Sequence, residues 1–83
     1  MLDRYAAYIE DGAMEIRKMA EAIERDYGLD AKDRIRELRA LEAELTLPDD
    51  IYKDAGELEY LARIRDTTVA RAKEIYEDFF TLA

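Results

Sequence analysis

The chain has 83 residues, 49% of them hydrophobic and 41% charged, with a formal net charge of −8 at pH 7. This balance predicts a single folded domain with one core and argues against disorder. Acidic residues outnumber basic ones by 21 to 13, so we expect no direct binding to nucleic acids or anionic membranes. No apolar run approaches the ~20 residues of a membrane span, and residues 1–4 do not resemble a signal peptide, so we expect a soluble chain without a targeting signal.

The first predicted element is a helix over residues 3–27. Alanines recur every seven residues from Ala6 to Ala20, which predicts an edge where a neighbouring helix approaches closely. Gly28 suits the left-handed position after a helix, and we expect Leu29 to fold back on the last turn. Apolar or small residues recur at alternating steps of three and four, typical of one helical face: Leu2, Tyr5, Ile9, Gly12, Ile16, Met19 and Ile23.

The second predicted element is a helix over residues 30–46. Asp30 and Asp33 are three residues apart, an acidic variant of the capping box, and should open this helix. The charged residues, Glu42 among them, are expected to face solvent. Pro48 should end the helix because proline disfavours a helical residue before it. The predicted buried stripe consists of Ala31, Ile35, Leu38, Leu41 and Leu45.

The last 34 residues keep helical phase and leave two alternatives open. An unbroken helix from Asp49 would overshoot the bundle by about 20 Å, and a second chain would have to cover its end. A break near Gly56 instead gives a short helix over 48–55 and a long helix over 57–82, and we favour the break. The predicted fold is therefore all-α, a compact three- to four-helix bundle that runs up, down and up in one domain over 1–83.

Missing residue types exclude most site chemistry. The chain contains no Ser, Asn, Gln, His, Cys or Trp. Without Ser, Cys or His there is no strong nucleophile or imidazole base, and thiolate, imidazole and helical di-metal sites are excluded. The carboxylates show no calcium-loop spacing. We therefore expect no enzymatic activity, no cofactor and no metal, and the absence of cysteine leaves the cellular compartment open.

Polar residues interrupt the apolar face of the last helix and define one candidate site. Arg65 and Thr68 occupy positions that should be apolar, and Gly12 lies at about the same level of helix 1. One interpretation is a small-molecule pocket with Arg65 as an anion-binding group and Asp66 or Glu10 as its counter-charge. The other is structural: Arg65 reaches solvent or pairs with an acidic residue of helix 1, Glu10 or Asp11, while Gly12 lets the helices approach. The pocket would consist of Tyr5, Gly12, Tyr60, Arg65 and Thr68.

The outer face of helix 1 is a second candidate site. Ala7 and Met14 lie opposite its apolar face, and Tyr8 lies near the edge of that face. Tyrosine and methionine are typical of interface centres, so these residues predict a protein-binding surface. The alternative is that they are scattered surface residues. The negative charge likewise admits two interpretations, solubility or a match to a basic partner.

The chain as a whole resembles computationally designed helical bundles. The resemblance rests on the reduced alphabet, the short connections, the capping acids and Ala/Leu/Ile-rich segments such as residues 33–45. It implies a designed origin, with recombinant expression in the cytoplasm. We predict a non-catalytic module that binds a protein partner or assembles with itself, and the alternative is a designed small-molecule binder.

Overall fold

The computed structural model describes residues 2–47 and 55–82, and it is helical over 2–44 and 55–82. In chain order, α1 spans Leu2–Tyr27, a turn of 3-10 helix spans Gly28–Ala31, α2 spans Lys32–Glu44 and α3 spans Ala55–Leu82. No strand occurs in these two ranges. The predicted all-α class is confirmed.

The periodic face of α1 forms the centre of the core. Ile9, Ile16 and Ile23 recur every seven residues and are completely buried, as the spacing predicts. The alanine edge is buried with them, because small side chains allow the neighbouring helices to approach. Tyr5 departs from the pattern and stays 39% exposed. The buried apolar residues of the described chain are Ala6, Ile9, Ala13, Ile16, Ala20, Ile23, Ala31, Leu38, Leu45, Leu58, Leu61, Val69, Ala72 and Ile75.

The turn after α1 agrees with the prediction at one residue and differs at two. Gly28 has a φ of 54°, a left-handed conformation that L side chains rarely adopt. Leu29 does not fold back and is 87% exposed. Asp30 lies inside the 3-10 turn, so it lacks the non-helical backbone that a capping residue needs. The helix α2 therefore begins at Lys32, after Ala31, and no side chain caps it.

Contacts between side chains fix the directions of the helices. Ion pairs join Arg17 to Glu42 and Glu24 to Arg39, so α2 runs antiparallel to α1. A hydrogen bond between Tyr8 and Asp66 and an ion pair between Glu15 and Lys73 follow each other in the same direction on both helices, so α3 runs parallel to α1. The molecule measures 43 × 20 × 15 Å. At 1.5 Å per residue, α1 and α3 are each about 40 Å long and α2 is about 20 Å long, so α2 lies beside only about half of the other two helices.

The start of α3 lies at the position where the sequence predicted a break, near Gly56. The helix begins at Ala55 and continues through Gly56, two residues before the predicted start at 57. The predicted short helix over 48–55 lies outside the described residues except for Ala55. At the other side of this gap, α2 ends at Glu44, two residues before the predicted end.

Candidate functional site

Arg65 and Gly12, the two irregular positions of the sequence, are in contact. The side chain of Arg65 crosses the backbone of α1 at Gly12 with its atoms from Cγ to Nε, and it is 18% exposed. A Cβ atom on Gly12 would lie 2.9 Å from Nε of Arg65, 3.0 Å from its Cγ and 3.2 Å from Cδ1 of Leu45. Real Cβ atoms essentially never come that close to another atom. The space left by the missing side chain of Gly12 is therefore occupied by Arg65.

The guanidinium of Arg65 binds groups on both helices. Its Nη1 lies 2.8 Å from Oδ1 of Asp66 and its Nη2 lies 3.6 Å from Oε2 of Glu15. Its central carbon lies 4.4 Å from the ring centroid of Tyr8, a cation–π distance. Its Nε is buried and has no hydrogen-bond partner among the described residues. Asp66 is one of the two expected counter-charges, whereas on α1 the partner is Glu15 instead of Glu10 or Asp11, because the packing of α3 on α1 brings Arg65 to the edge that carries Tyr8 and Glu15.

Tyr8 and Asp66 are coupled through a hydrogen bond between α1 and α3. The hydroxyl of Tyr8 donates to Oδ1 of Asp66. This hydrogen bond is the main cause of a raised pKa of Tyr8, because it holds the proton on the phenol. The same bond, followed by the one from Arg65, lowers the pKa of Asp66, because both stabilise the carboxylate. The ring of Tyr8 is thereby fixed at its hydroxyl end and at its face.

A groove between α1 and α3 opens above this cluster. We call it the tyrosine groove; its volume is about 420 Å³, within the range of small ligand sites. Both tyrosine rings are 39% exposed. The groove is lined by Arg4, Tyr5, Tyr8, Glu59, Ala62 and Arg63.

The structure distributes the five residues of the predicted small-molecule pocket over different surroundings. Tyr5 lines the tyrosine groove, whereas Arg65 and Gly12 contact each other below it. Tyr60 is 54% exposed on α3, and Thr68 is buried. Gly12, Tyr60, Arg65 and Thr68 do not line the tyrosine groove. The small-molecule pocket stays a prediction.

The predicted protein-binding residues lie along the first half of α1. Ala7 is exposed, Tyr8 is 39% exposed and Met14 is 49% exposed. Tyr8 lies on the side of α3, and Met14 lies on the side where α2 ends. Met14 borders a second groove of about 300 Å³, which we call the methionine groove and which is lined by Glu10, Ala13, Met14, Arg17, Leu45, Thr46 and Leu47. This half of α1 is therefore a ridge between two grooves.

Glu42 is buried, which corrects the expectation that it faces solvent. Its side chain is 12% exposed and accepts hydrogen bonds of 2.9 Å from Nε of Arg17 and Nη1 of Arg39. Burial by itself raises the pKa of Glu42, but the two arginines outweigh it and leave the pKa below its ordinary value. The signal that the sequence offered is the spacing of Leu38, Glu42 and Leu45, which is the four-three step of a buried face.

Aromatic rings gather at the opposite end of the molecule, where α1 and α3 finish. The ring of Tyr27 lies edge-on to Phe79 at a centroid distance of 4.7 Å, and Tyr76 meets Phe80 in the same way at 4.8 Å. Tyr27 and Phe80 stay 38% and 40% exposed. From the sequence, Phe80 and Leu82 at the C-terminus are expected to add to an exposed apolar surface, and no pattern pointed to Tyr27 beside Phe80.

Among the described residues, no three acidic side chains are grouped so that they could hold a metal ion. Within the same ranges, no helix combines the length and the apolar character needed to cross a bilayer. Comparison of the chain with family models, with curated proteins and with solved structures gave no match.

Proposed function

We propose that this chain is a designed, three- to four-helix, up-down-up bundle that works as a non-catalytic protein-binding module. The proposed interface is the ridge of α1 that carries Ala7, Tyr8 and Met14. The described helices support the up-down-up course, since α2 is antiparallel and α3 parallel to α1. The reduced alphabet supports a designed origin, because a designer avoids residue types that a natural domain of this size uses freely.

The observation that carries the proposal is the exposure of Met14 and Tyr8. Met14 is 49% exposed and Tyr8 is 39% exposed, and both lie on the first half of α1. Both side-chain types add large contact area and are enriched at interface centres, and tyrosine does so at low entropic cost. The ring of Tyr8 is already held by Asp66 and Arg65, so binding would lose little of its freedom.

A binding role also fits the chemistry that the sequence allows. The absence of Ser, Cys and His from the whole chain removes the usual nucleophiles and the usual base at neutral pH. Two carboxylates have lowered pKa values and so are poor proton donors: two arginines hold Glu42 ionised, and Tyr8 and then Arg65 hold Asp66 ionised. Their arrangement supports helix packing rather than proton transfer.

The first experiment measures the molar mass by size-exclusion chromatography with light scattering. A monomer at micromolar concentration supports binding to a different protein. A stable dimer supports self-assembly through the same ridge, and Met14→Glu should then return the chain to a monomer. A dimer that survives Met14→Glu would place the self-contact elsewhere.

The second experiment compares wild type, Met14→Glu and Ala70→Glu as immobilised baits, followed by calorimetry with each retained protein. Ala70 is exposed on α3, so Ala70→Glu adds the same charge on a different helix from the ridge. We expect Met14→Glu to weaken the affinity for the partner about 30-fold or more, because burying a charge in an interface costs ~2 kcal/mol or more. Ala70→Glu should bind like wild type. A partner that binds all three equally would contradict the proposed interface.

A further inference from the structure

We propose that the tyrosine groove binds an acidic peptide segment of the partner, with an aromatic side chain between two carboxylates. The inference rests on the proposed function, since it names the chemistry of the partner at one side of the α1 ridge. Its basis is a pair of arginines without carboxylate partners among the described residues, beside the ring of Tyr5 and the fixed ring of Tyr8.

Arg4 and Arg63 flank the groove and form no ion pair with any described residue. Acidic residues outnumber basic ones by 21 to 13 in this chain, so most arginines have a carboxylate within reach. Arg65, by contrast, is paired with Asp66 and Glu15. Glu59 supplies the one negative charge of the groove lining. The groove is therefore locally positive on a chain whose overall charge is negative.

The shape of the groove suits one aromatic side chain. Its walls are Tyr5 and Tyr8 of α1, and α3 contributes the small side chain of Ala62 to the lining. The lining spans one helical turn of α1 and one of α3, about 6 Å along the axis. That length accommodates one inserted side chain with its two neighbours in the peptide. An aromatic ring can meet the tyrosine rings edge-on or offset, which adds to the apolar contact.

Local charges decide the selectivity of this groove. At 0.15 M salt the Debye length is about 8 Å, so an acidic peptide in the groove responds to Arg4 and Arg63 more than to the distant excess of acidic groups. Carboxylates on either side of the inserted ring can each reach one guanidinium, which is the planar group best suited to them. The recognised peptide segment therefore has an aromatic residue with an acidic residue on each side.

The test is a titration of the nitrogen-15-labelled full chain, followed by NMR, with three end-blocked pentapeptides. Each peptide has a central phenylalanine, flanked on both sides by two glutamates, two glutamines or two lysines. We expect the glutamate peptide to shift the amides of residues 4–8 and 59–63, and to bind about fivefold more tightly than the glutamine peptide, since two exposed ion pairs contribute ~0.5 kcal/mol each. We expect the lysine peptide not to shift these amides.

Variants separate the groove from general charge effects. Arg4→Gln combined with Arg63→Gln should remove the preference for glutamate over glutamine. Arg36→Gln is the matched control, because Arg36 is also exposed and lacks an ion pair among the described residues but lies on α2. It should leave the titration unchanged. Circular dichroism should show that all three substitutions leave the fold intact, since exposed side chains contribute little to stability.

Several results would overturn the inference. They are equal affinity for the glutamate and glutamine peptides, shifts centred outside the two turns, no binding of the glutamate peptide up to millimolar concentration, or an equal loss in Arg36→Gln. None of these results would contradict the proposed function, which is tested by whether Met14→Glu weakens the binding of a partner protein. If Met14→Glu has no effect and the glutamate peptide still binds the groove, the ridge is wrong and the groove stands alone.

Discussion

Substitution of Gly12 by alanine tests how the candidate site is built. A glycine inside a helix is destabilising by about 1 kcal/mol relative to alanine, so Gly12→Ala would stabilise an isolated helix. In the folded chain the new Cβ would lie 2.9 and 3.0 Å from two atoms of Arg65. Crowding of this kind in a packed site costs about 1 to 3 kcal/mol. We therefore expect Gly12→Ala to destabilise the protein by about 1 kcal/mol.

Removal of Arg65 should reverse the sign of this effect. In an Arg65→Ala background the two closest contacts disappear, and of the three nearest atoms Cδ1 of Leu45 remains, 3.2 Å away. The gain in helix propensity then dominates, and Gly12→Ala should stabilise that background by about 0.5 kcal/mol. The difference between the two backgrounds is a coupling energy of about 1.5 kcal/mol, typical of side chains in direct contact.

Urea unfolding followed by far-UV circular dichroism measures all four proteins of the cycle. With a slope of about 1 kcal/mol per M for a chain of this size, the expected destabilisation lowers the midpoint by about 1 M. Equal stabilisation by Gly12→Ala in both backgrounds would show that Arg65 does not occupy the space above Gly12. That result would restore an open pocket at this level, as the small-molecule alternative requires.

Two further predictions concern the buried acid and the aromatic end. Glu42→Gln should lower the free energy of unfolding at pH 7 by about 2 kcal/mol, because charged hydrogen bonds from Arg17 and Arg39 are lost. The pKa of Glu42 is lowered by folding, so its contribution is complete above the ordinary value of 4.5 and lost as pH falls through the folded value; a deficit of the variant that stays constant down to pH 2 would contradict this. Phe79→Ala should cost about 2 kcal/mol and Phe80→Ala about 1 kcal/mol, because Phe80 is 40% exposed and Phe79 packs against the core. Thermal unfolding of the two variants compares them, and equal costs would mean that the rings are equally buried.

Helical periodicity predicted the core of α1 correctly because burial of a helical face depends on local spacing. Ile9, Ile16 and Ile23 were assigned to the buried face and are completely buried. The left-handed turn at Gly28 was predictable for the same reason, since it depends on the backbone of one residue. The expected cap at Asp30 failed because the sequence signal does not tell a capping residue from a residue of a 3-10 turn.

The site depended on which residues of different helices meet. The sequence identified Gly12 and Arg65 as irregular and offered Asp66 as a counter-charge of Arg65, but on α1 it named Glu10 or Asp11 where the structure has Glu15. A shift of four residues is one helical turn, and it keeps every local pattern while changing every contact across the interface. Periodicity therefore predicted the positions of the irregular residues, and the packing of the helices determined which residues they contact.

By itself, the sequence determined the helical class, the buried face of α1, the acidic balance and the chemistry that is absent, because each follows from residue type and local spacing. The tertiary structure decided that Glu42 is buried, that Arg65 occupies the space above Gly12, and that Arg4 and Arg63 flank one groove. These facts arise from the direction and register of helices that lie far apart in the chain. The negative composition predicted an acidic surface, and only the packing of α3 on α1 produced a positive groove within it.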